Sequence, residues 1–169
     1  MRAAANQPLH LTAAVLRFQG GTSHQPPRRV NGAVRRLDNV AARQAGMREM
    51  DDYINRLAGA KERYPFRKWA EWGIEQHTER ALSLFAAVLN RLIERLSALG
   101  EQAPERDKIA AIRQAVEELN ALNVTNEILI ETGEREDLCK LFDIIATEAG
   151  LDPSRYADGE GPADEWRAW

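Results

Sequence analysis

The densest group of chemically active side chains lies in the segment Ile130–Glu136, which reads IETGERE. Glu131, Glu134, Arg135 and Glu136 are all ionisable. Such a carboxylate cluster could bind a hard cation such as Mg²⁺, which needs only one or two carboxylates and water. It could equally cap a helix and form local ion pairs, since Glu131 and Arg135 are four residues apart. No second acidic motif of matching spacing occurs, so the capping interpretation is favoured, and no metal site and no cofactor are predicted.

His77 is the only histidine after residue 46, because the others are His10 and His24. It borders an apolar helix face, which predicts a partly buried imidazole with one hydrogen bond. A general base would need an orienting carboxylate and a substrate pocket. The carboxylates nearest in sequence lie two residues away on either side and therefore on other helix faces. Cys139 is predicted to be a small core or boundary residue. A Cys139–His77 nucleophile pair is the alternative, and no catalytic residue is assigned.

The four tryptophans form two pairs, Trp69 with Trp72 and Trp166 with Trp169. The three-residue spacing places each pair on one side of a helix or turn. We expect the C-terminal turn to pack against the long helix that carries the first pair. The alternative is an aromatic surface for a partner, since Trp and Arg are frequent anchors at interfaces. The candidate partner-binding residues are Glu131, Glu134, Arg135, Glu136, Trp166, Arg167 and Trp169.

The charge of the chain is split between its two ends. Residues 1–48 contain eight Arg and one acid, a net charge of +7, whereas residues 49–169 contain 15 Lys and Arg against 25 Asp and Glu, a net charge of −10. Little apolar periodicity is found in residues 1–46, which predicts a basic, mostly disordered tail with a short helix near 32–44. The acidic domain is then 47–169.

Three hypotheses describe this tail. Translation could start at Met47 or Met50, the tail could be a transit-like or nucleic-acid-binding arm, or it could bind a partner and fold on contact. Arginines neutralise phosphates, and such binding weakens steeply with salt. The candidate nucleic-acid contacts are Arg28, Arg29, Arg35 and Arg36.

Apolar residues at helical spacing recur through the remainder of the chain and position these groups. Thr132 is the predicted N-cap of the last helix, and Gly73 is expected inside the longest helix, where it allows a bend. The predicted helices are Met50–Leu57, Pro65–Leu99, Pro104–Leu122 and Gly133–Ala149. With no convincing pair of strands, the fold class is all-α, an antiparallel helical bundle.

The composition excludes several classes of protein. One cysteine cannot form an internal disulfide, and three histidines with one cysteine provide no zinc-finger spacing. No run of 18 apolar residues occurs, and the mean hydropathy is −0.50, so no membrane span is expected. Nucleotide-binding, metalloprotease and hydrolase motifs are absent. A cytoplasmic location is expected.

Three stretches of the chain resemble a known kind of domain. They are Ile130–Glu136, the helix end at Ala149–Leu151, and Glu165–Trp169, which contains the motif EWR followed by a final Trp. Together they resemble small helical bacterial domains of unknown function, over about residues 65–169. The resemblance implies a compact helical domain, and it carries no catalytic residue with it.

The sequence therefore favours a non-enzymatic interaction protein, of immunity or inhibitor type, that binds a basic protein partner. The acidic domain would attract cationic surfaces and repel nucleic acid. One alternative is a metal-dependent enzyme built on Glu131, Glu134 and Glu136, with His77 beside them. Another is nucleic-acid contact through the basic tail. No membrane partner is predicted, and the sequence does not determine the oligomeric state.

Overall fold

The computed structural model describes residues 31–125 and 127–169. This part of the chain contains five α-helices and no strand, so the predicted all-α class is confirmed. The helices are α1 (Asn31–Gly59), α2 (Phe66–Glu71), α3 (Glu79–Leu99), α4 (Glu105–Val124) and α5 (Thr132–Glu148). A 3-10 turn at Ala60–Arg63 continues α1, and two more follow α5 at Pro153–Arg155 and Ala157–Gly159.

The core lies between the end of α1 and the apolar faces of α2 to α5. Helices α3 and α4 are joined by only five residues, 100–104, so they pack as antiparallel neighbours. Full burial of each large apolar side chain contributes about 1.5 to 3 kcal/mol of transfer free energy. The largest fully buried side chains include Tyr53, Leu57, Trp69, Phe85, Leu92, Leu96, Ile112, Leu119, Leu138 and Phe142.

The C-terminal end of α5 is capped by two sets of hydrogen bonds. Gly150 adopts the left-handed conformation, with φ +79°, which allows the backbone N–H of Leu151 to donate to the carbonyl of Ala146. The ammonium group of Lys108, a residue only 4% exposed, donates to the carbonyl of Ala149 at 2.7 Å and to that of Glu101 at 2.6 Å. Burial lowers the pKa of Lys108. The carbonyl groups of Ala146 and Ala149 at the helix end therefore have partners.

The prediction of one helix over residues 65–99 is wrong. The chain forms α2, leaves helical structure at residues 72–78, and begins again as α3. Gly73 has φ +65°, a left-handed conformation that ends a helix rather than bending it. Thr78 then caps the new helix, since its hydroxyl accepts a hydrogen bond from the backbone N–H of Ala81 at 3.1 Å.

The first described helix is longer than predicted. The short helix expected near 32–44 and the one expected at Met50–Leu57 are parts of one continuous α1. The helix passes through Met47 without a break. Residues 1–30 lie outside the described part of the chain, and the division into a tail of 1–46 and a domain of 47–169 stays a prediction.

None of the helices within residues 31–125 and 127–169 combines the length and the apolar character that crossing a bilayer requires.

Candidate functional site

Helix α2 is attached to α5 by a polar anchor. The indole N–H of Trp69 donates to Oδ2 of Asp137 at 2.8 Å, and the ammonium of Lys68 contacts both oxygens of the same carboxylate at 2.8 and 2.9 Å. Burial raises the pKa of Asp137, but the hydrogen bonds from Lys68 and Trp69 outweigh it, so the net shift is downward. This anchor fixes the end of α2, from which the loop 72–78 departs.

The loop 72–78 is attached to α5 by a buried pair, His77 and Glu134. Nε2 of His77 lies 2.6 Å from Oε1 of Glu134, and both side chains are only 3% exposed. Nδ1 of His77 lies 2.8 Å from the carbonyl oxygen of Trp69. The imidazole also stacks on the Trp69 ring at a centroid distance of 5.8 Å. The prediction that His77 is partly buried is confirmed for the residue as a whole, but the prediction of one hydrogen bond is wrong, because both ring nitrogens are engaged.

The hydrogen bonds determine where the protons lie. A carbonyl oxygen accepts only, so Nδ1 of His77 carries a proton and donates it to Trp69. The contact between Nε2 and Glu134 then holds one more proton, because two acceptors without a proton would repel each other at 2.6 Å. The pair is charge-neutral as a unit whichever atom carries that proton. Neither ring nitrogen has a lone pair available to act as a general base on an outside molecule.

Glu134 also organises the start of α5. Its Oε2 accepts the backbone N–H of Glu131 at 3.1 Å, which forms a capping box with Glu131 at the N-cap. The prediction of Thr132 as the N-cap is therefore wrong, because Thr132 is already the first helical residue. The carboxylate belongs to the first turn of the helix, where it also interacts favourably with the helix dipole.

A groove opens beside this buried pair, between the loop 72–78 and the start of α5. Its volume is about 720 Å³, and it is lined by Trp72, Ile74 and residues 130–135. Trp72 and Ile74 are 40% and 41% exposed. We call this feature the Trp72 groove. The Trp72 ring lies over Gly133, where an added Cβ would stand 3.1 Å from Cη2 of the indole. The absence of a side chain at Gly133 therefore lets the indole lie against the helix.

The charged side chains that line the Trp72 groove are Glu131, Arg135 and the buried Glu134. Glu75, Glu131 and Glu136 are exposed, and none of them belongs to the ion pairs formed within residues 31–125 and 127–169. Lys68 lies 5.0 Å from the centre of the Trp72 ring, with its charge already shared with Asp137. An approaching molecule therefore meets the carboxylate of Glu131 and the guanidinium of Arg135, both of which line the groove.

The IETGERE residues predicted as candidates have different environments. Glu131 and Arg135 line the Trp72 groove, and Glu136 is exposed on the following turn. Glu134 is 2% exposed and bound by His77, so it faces the protein interior. Within the described residues Arg135 forms no ion pair with Glu131, so the local ion pair suggested by their spacing is not present there.

The C-terminal candidates lie elsewhere on the bundle. Trp166 and Trp169 pack against the core, and Asn120 of α4 holds this segment by accepting from the backbone N–H of Ala168 and donating to the carbonyl of Trp166. Arg167 is paired with Asp164. The hydrogen bonds of this turn go to α4, and its packing on the helix of Trp69 stays a prediction. None of these residues lines the Trp72 groove.

Cys139 packs partly buried against the core, as predicted. Burial raises the pKa of its thiol to about 12, with Asp164 adding to the shift. A thiol in this state is a poor nucleophile at neutral pH. The ring nitrogens of His77 are occupied by Trp69 and Glu134, so the alternative of a Cys139–His77 pair has no support in the geometry.

The remaining candidates concern metals and nucleic acid. Among the described residues, no three His, Cys, Asp or Glu side chains are grouped closely enough to hold a metal ion. Arg28 and Arg29 lie outside the described residues, and Arg35 and Arg36 fall within α1. The basic tail therefore stays a prediction.

Sequence reasoning missed the partnership of His77 with Glu134 and that of Lys68 with Asp137. Their members are 57 and 69 residues apart, so no local spacing indicates them. The four-residue pattern from Glu131 to Glu134 was the one available signal, since a capping box joins an N-cap residue to the acid three positions later.

In comparisons with known proteins, the chain matches no protein-family model, no curated protein and no solved structure.

Proposed function

We propose that this chain is a protein-interaction module, of immunity or inhibitor type, that binds a basic protein partner through the Trp72 groove. The observation that carries the proposal is the exposed indole of Trp72, which lines a groove in a domain whose net charge is −10. The groove would take an apolar side chain of the partner, and the rim would take neighbouring Lys or Arg residues.

The apolar part of the groove has the character of an interface anchor. Tryptophan is the residue type most enriched at binding hot spots. The loop that carries Trp72 is held by both ring nitrogens of His77, so part of the entropy of ordering this surface is lost at folding rather than at binding. Ile74, 41% exposed, extends the apolar surface from the same loop.

The charge of the domain supports a basic partner. Residues 49–169 carry 15 Lys and Arg against 25 Asp and Glu. Glu131 lines the groove together with Arg135, and Glu75 and Glu136, next in sequence to lining residues, are exposed. Complementary charge raises association rates and penalises acidic competitors such as nucleic acid. The interaction should therefore weaken as salt is added.

An acid–base enzyme is supported less well. The obvious catalytic group, His77, is 3% exposed and uses both nitrogens inside the protein. Glu134 is committed to His77 and to the backbone of Glu131. These groups act as a strut between the loop 72–78 and α5, which favours a binding surface over a reaction centre.

The test uses random peptides displayed on phage and selected against the full chain. We expect the selected peptides to share one large apolar residue flanked by Lys or Arg. Synthetic versions, followed by fluorescence polarisation, should bind Trp72→Ala at least about tenfold more weakly than the unchanged chain. Val124→Ala is the matched control, because Val124 is an exposed apolar side chain on α4, 78% accessible.

Two results would overturn the proposal. One is a set of selected peptides with no basic residues and no dependence on salt. The other is equal loss of affinity in Trp72→Ala and Val124→Ala, which would place the binding surface elsewhere.

A further inference from the structure

An exposed apolar stripe runs along α1, outside the Trp72 groove. Val40, Met47, Met50 and Ile54 are 51%, 67%, 43% and 38% exposed. Val40, Met47 and Ile54 are spaced by seven residues, so together with Met50 they occupy one side of the helix. We call these four residues the α1 stripe. A row of apolar side chains in water at this spacing is typical of a helix that packs against another helix.

The stripe lies mainly on the part of α1 that precedes the bundle core. The first buried side chain of the described part of α1 is Tyr53, whose hydroxyl donates to the carbonyl of Leu96. Leu57 is the next. The side chain of Met50 reaches Gly100 of the bundle, whereas residues 42–49 are exposed throughout. A helical segment with no packed face is only marginally stable in water, so a second helix against the stripe would stabilise α1 as well as cover its apolar atoms.

We propose that the α1 stripe pairs antiparallel with the α1 stripe of a second copy of this chain. The charges of α1 select this partner and this direction. Beside the stripe, Arg43 lies one turn before Met47 and Asp51 lies one turn after it, so the two charges are of opposite sign. Antiparallel pairing sets Arg43 of one helix beside Asp51 of the other. Parallel pairing would set like charges side by side, which is unfavourable.

The spacing also supplies a register. Val40 and Ile54 are each seven residues from Met47, so an antiparallel pair centred on Met47 brings Val40 of one copy level with Ile54 of the other. Arg43 and Asp51 are each four residues from Met47, so they come level too. Both are exposed. The ion pairs that the described part of α1 makes within its own chain are formed by Arg56 instead.

The test is sedimentation of the full chain from low to several hundred micromolar concentration. We expect a concentration-dependent dimer that is weakened at least about tenfold by Arg43→Asp and by Asp51→Arg, because each change creates two like-charge contacts. Mixing the two variants should restore the dimer as a heterodimer, since every contact is then between opposite charges. Circular dichroism confirms that each variant keeps a cooperatively unfolding bundle.

Glu49→Arg is the matched control. It also replaces an acid by Arg on α1, but Glu49 lies two residues from Met47 and so faces away from the stripe. We expect it to change the dimer affinity by no more than about threefold. A chain that stays monomeric throughout the concentration range would overturn the proposal. So would a dimer that tolerates Arg43→Asp and Asp51→Arg as well as it tolerates Glu49→Arg.

Discussion

Replacement of Glu134 by Ala tests the role assigned to the buried pair. In the native chain, one oxygen of this carboxylate contacts Nε2 of His77 at 2.6 Å and the other accepts the N–H of Glu131 at 3.1 Å. Alanine removes both contacts at once. His77 then has a buried polar nitrogen without a partner, and α5 loses its capping box.

The expected cost can be worked from these contacts. A buried polar group left without a partner costs about 1 to 3 kcal/mol, and loss of a cap costs about 0.5 to 2 kcal/mol. Both side chains are 3% exposed, so solvent screens little of the interaction. Breaking such a buried pair from one side costs about 3 to 5 kcal/mol. We therefore expect Glu134→Ala to lower the midpoint of thermal unfolding by roughly 10 to 20 °C.

Two companion variants isolate the cause. Glu134→Gln keeps an oxygen for the N–H of Glu131 and offers an amide N–H to Nε2 of a neutral His77, so we expect a cost of only about 1 kcal/mol. Glu136→Ala removes an exposed glutamate from the same end of α5, and should change stability by no more than about 0.5 kcal/mol. Urea unfolding followed by circular dichroism measures all three free energies.

A cost of Glu134→Ala no greater than that of Glu136→Ala would refute this role for the buried pair. So would a Glu134→Gln variant as damaging as Glu134→Ala, because the contacts would then depend on the charge and not on the hydrogen bonds described. A double-mutant cycle with His77→Ala gives the coupling directly, and it should be well above zero if the two side chains act as one unit.

Two further predictions concern other parts of the fold. Gly133→Ala places a Cβ 3.1 Å from the ring of Trp72, so the indole N–H resonance of Trp72 should shift in NMR spectra. Gly59→Ala is the control and should leave that resonance in place, because its Cβ meets nothing within 4 Å. An unmoved resonance in Gly133→Ala would contradict the packing of Trp72 on Gly133. Burial, and then the charge of Asp164, raises the pKa of Asp143, and its Oδ1 is buried without a hydrogen-bond partner in the described residues. A raised folded-state pKa means that ionisation of Asp143 opposes folding, so Asp143→Asn should be more stable than the unchanged chain at pH 7. This advantage should be lost as the pH falls to about 4, the pKa of an unfolded Asp. Urea unfolding at pH 7 and below about pH 4 measures the difference, and a destabilised Asp143→Asn at pH 7 would contradict the prediction.

Local patterns in the sequence were enough to predict most of the helices. The apolar period of 3.6 residues is a property of neighbouring positions, and it predicted α4 and α5 to within about two residues at each end. The end of α5 was likewise predicted close to where it lies, at Ala149–Leu151, where a left-handed residue is what a helix end commonly requires. The error at residues 72–78 has a physical reason as well. Apolar residues occur at helical spacing both before Gly73, in α2, and after it, in α3. The periodicity alone therefore does not show the break between the two helices.

The candidate site depended on contacts that no local pattern contains. The sequence showed His77 and the acidic IETGERE segment separately, and it assigned the nearest carboxylates to other helix faces. Folding brings Glu134 to His77 across 57 residues and Asp137 to Trp69 across 68. Burial then determines their environments, because Glu134 is enclosed with an imidazole and serves the fold, whereas Glu131 and Glu136 remain exposed.

The sequence by itself therefore determined the helical class, the acidic character of residues 49–169 and the polar start of α5, because composition and periodicity are local properties. Only the tertiary structure decided which carboxylate is buried, that Trp69 is a core residue while Trp72 is exposed, and that a groove lies between the loop 72–78 and α5. Those features arise from the approach of segments distant in the chain, and the side chains of one segment acquire their environment only when the other is in place.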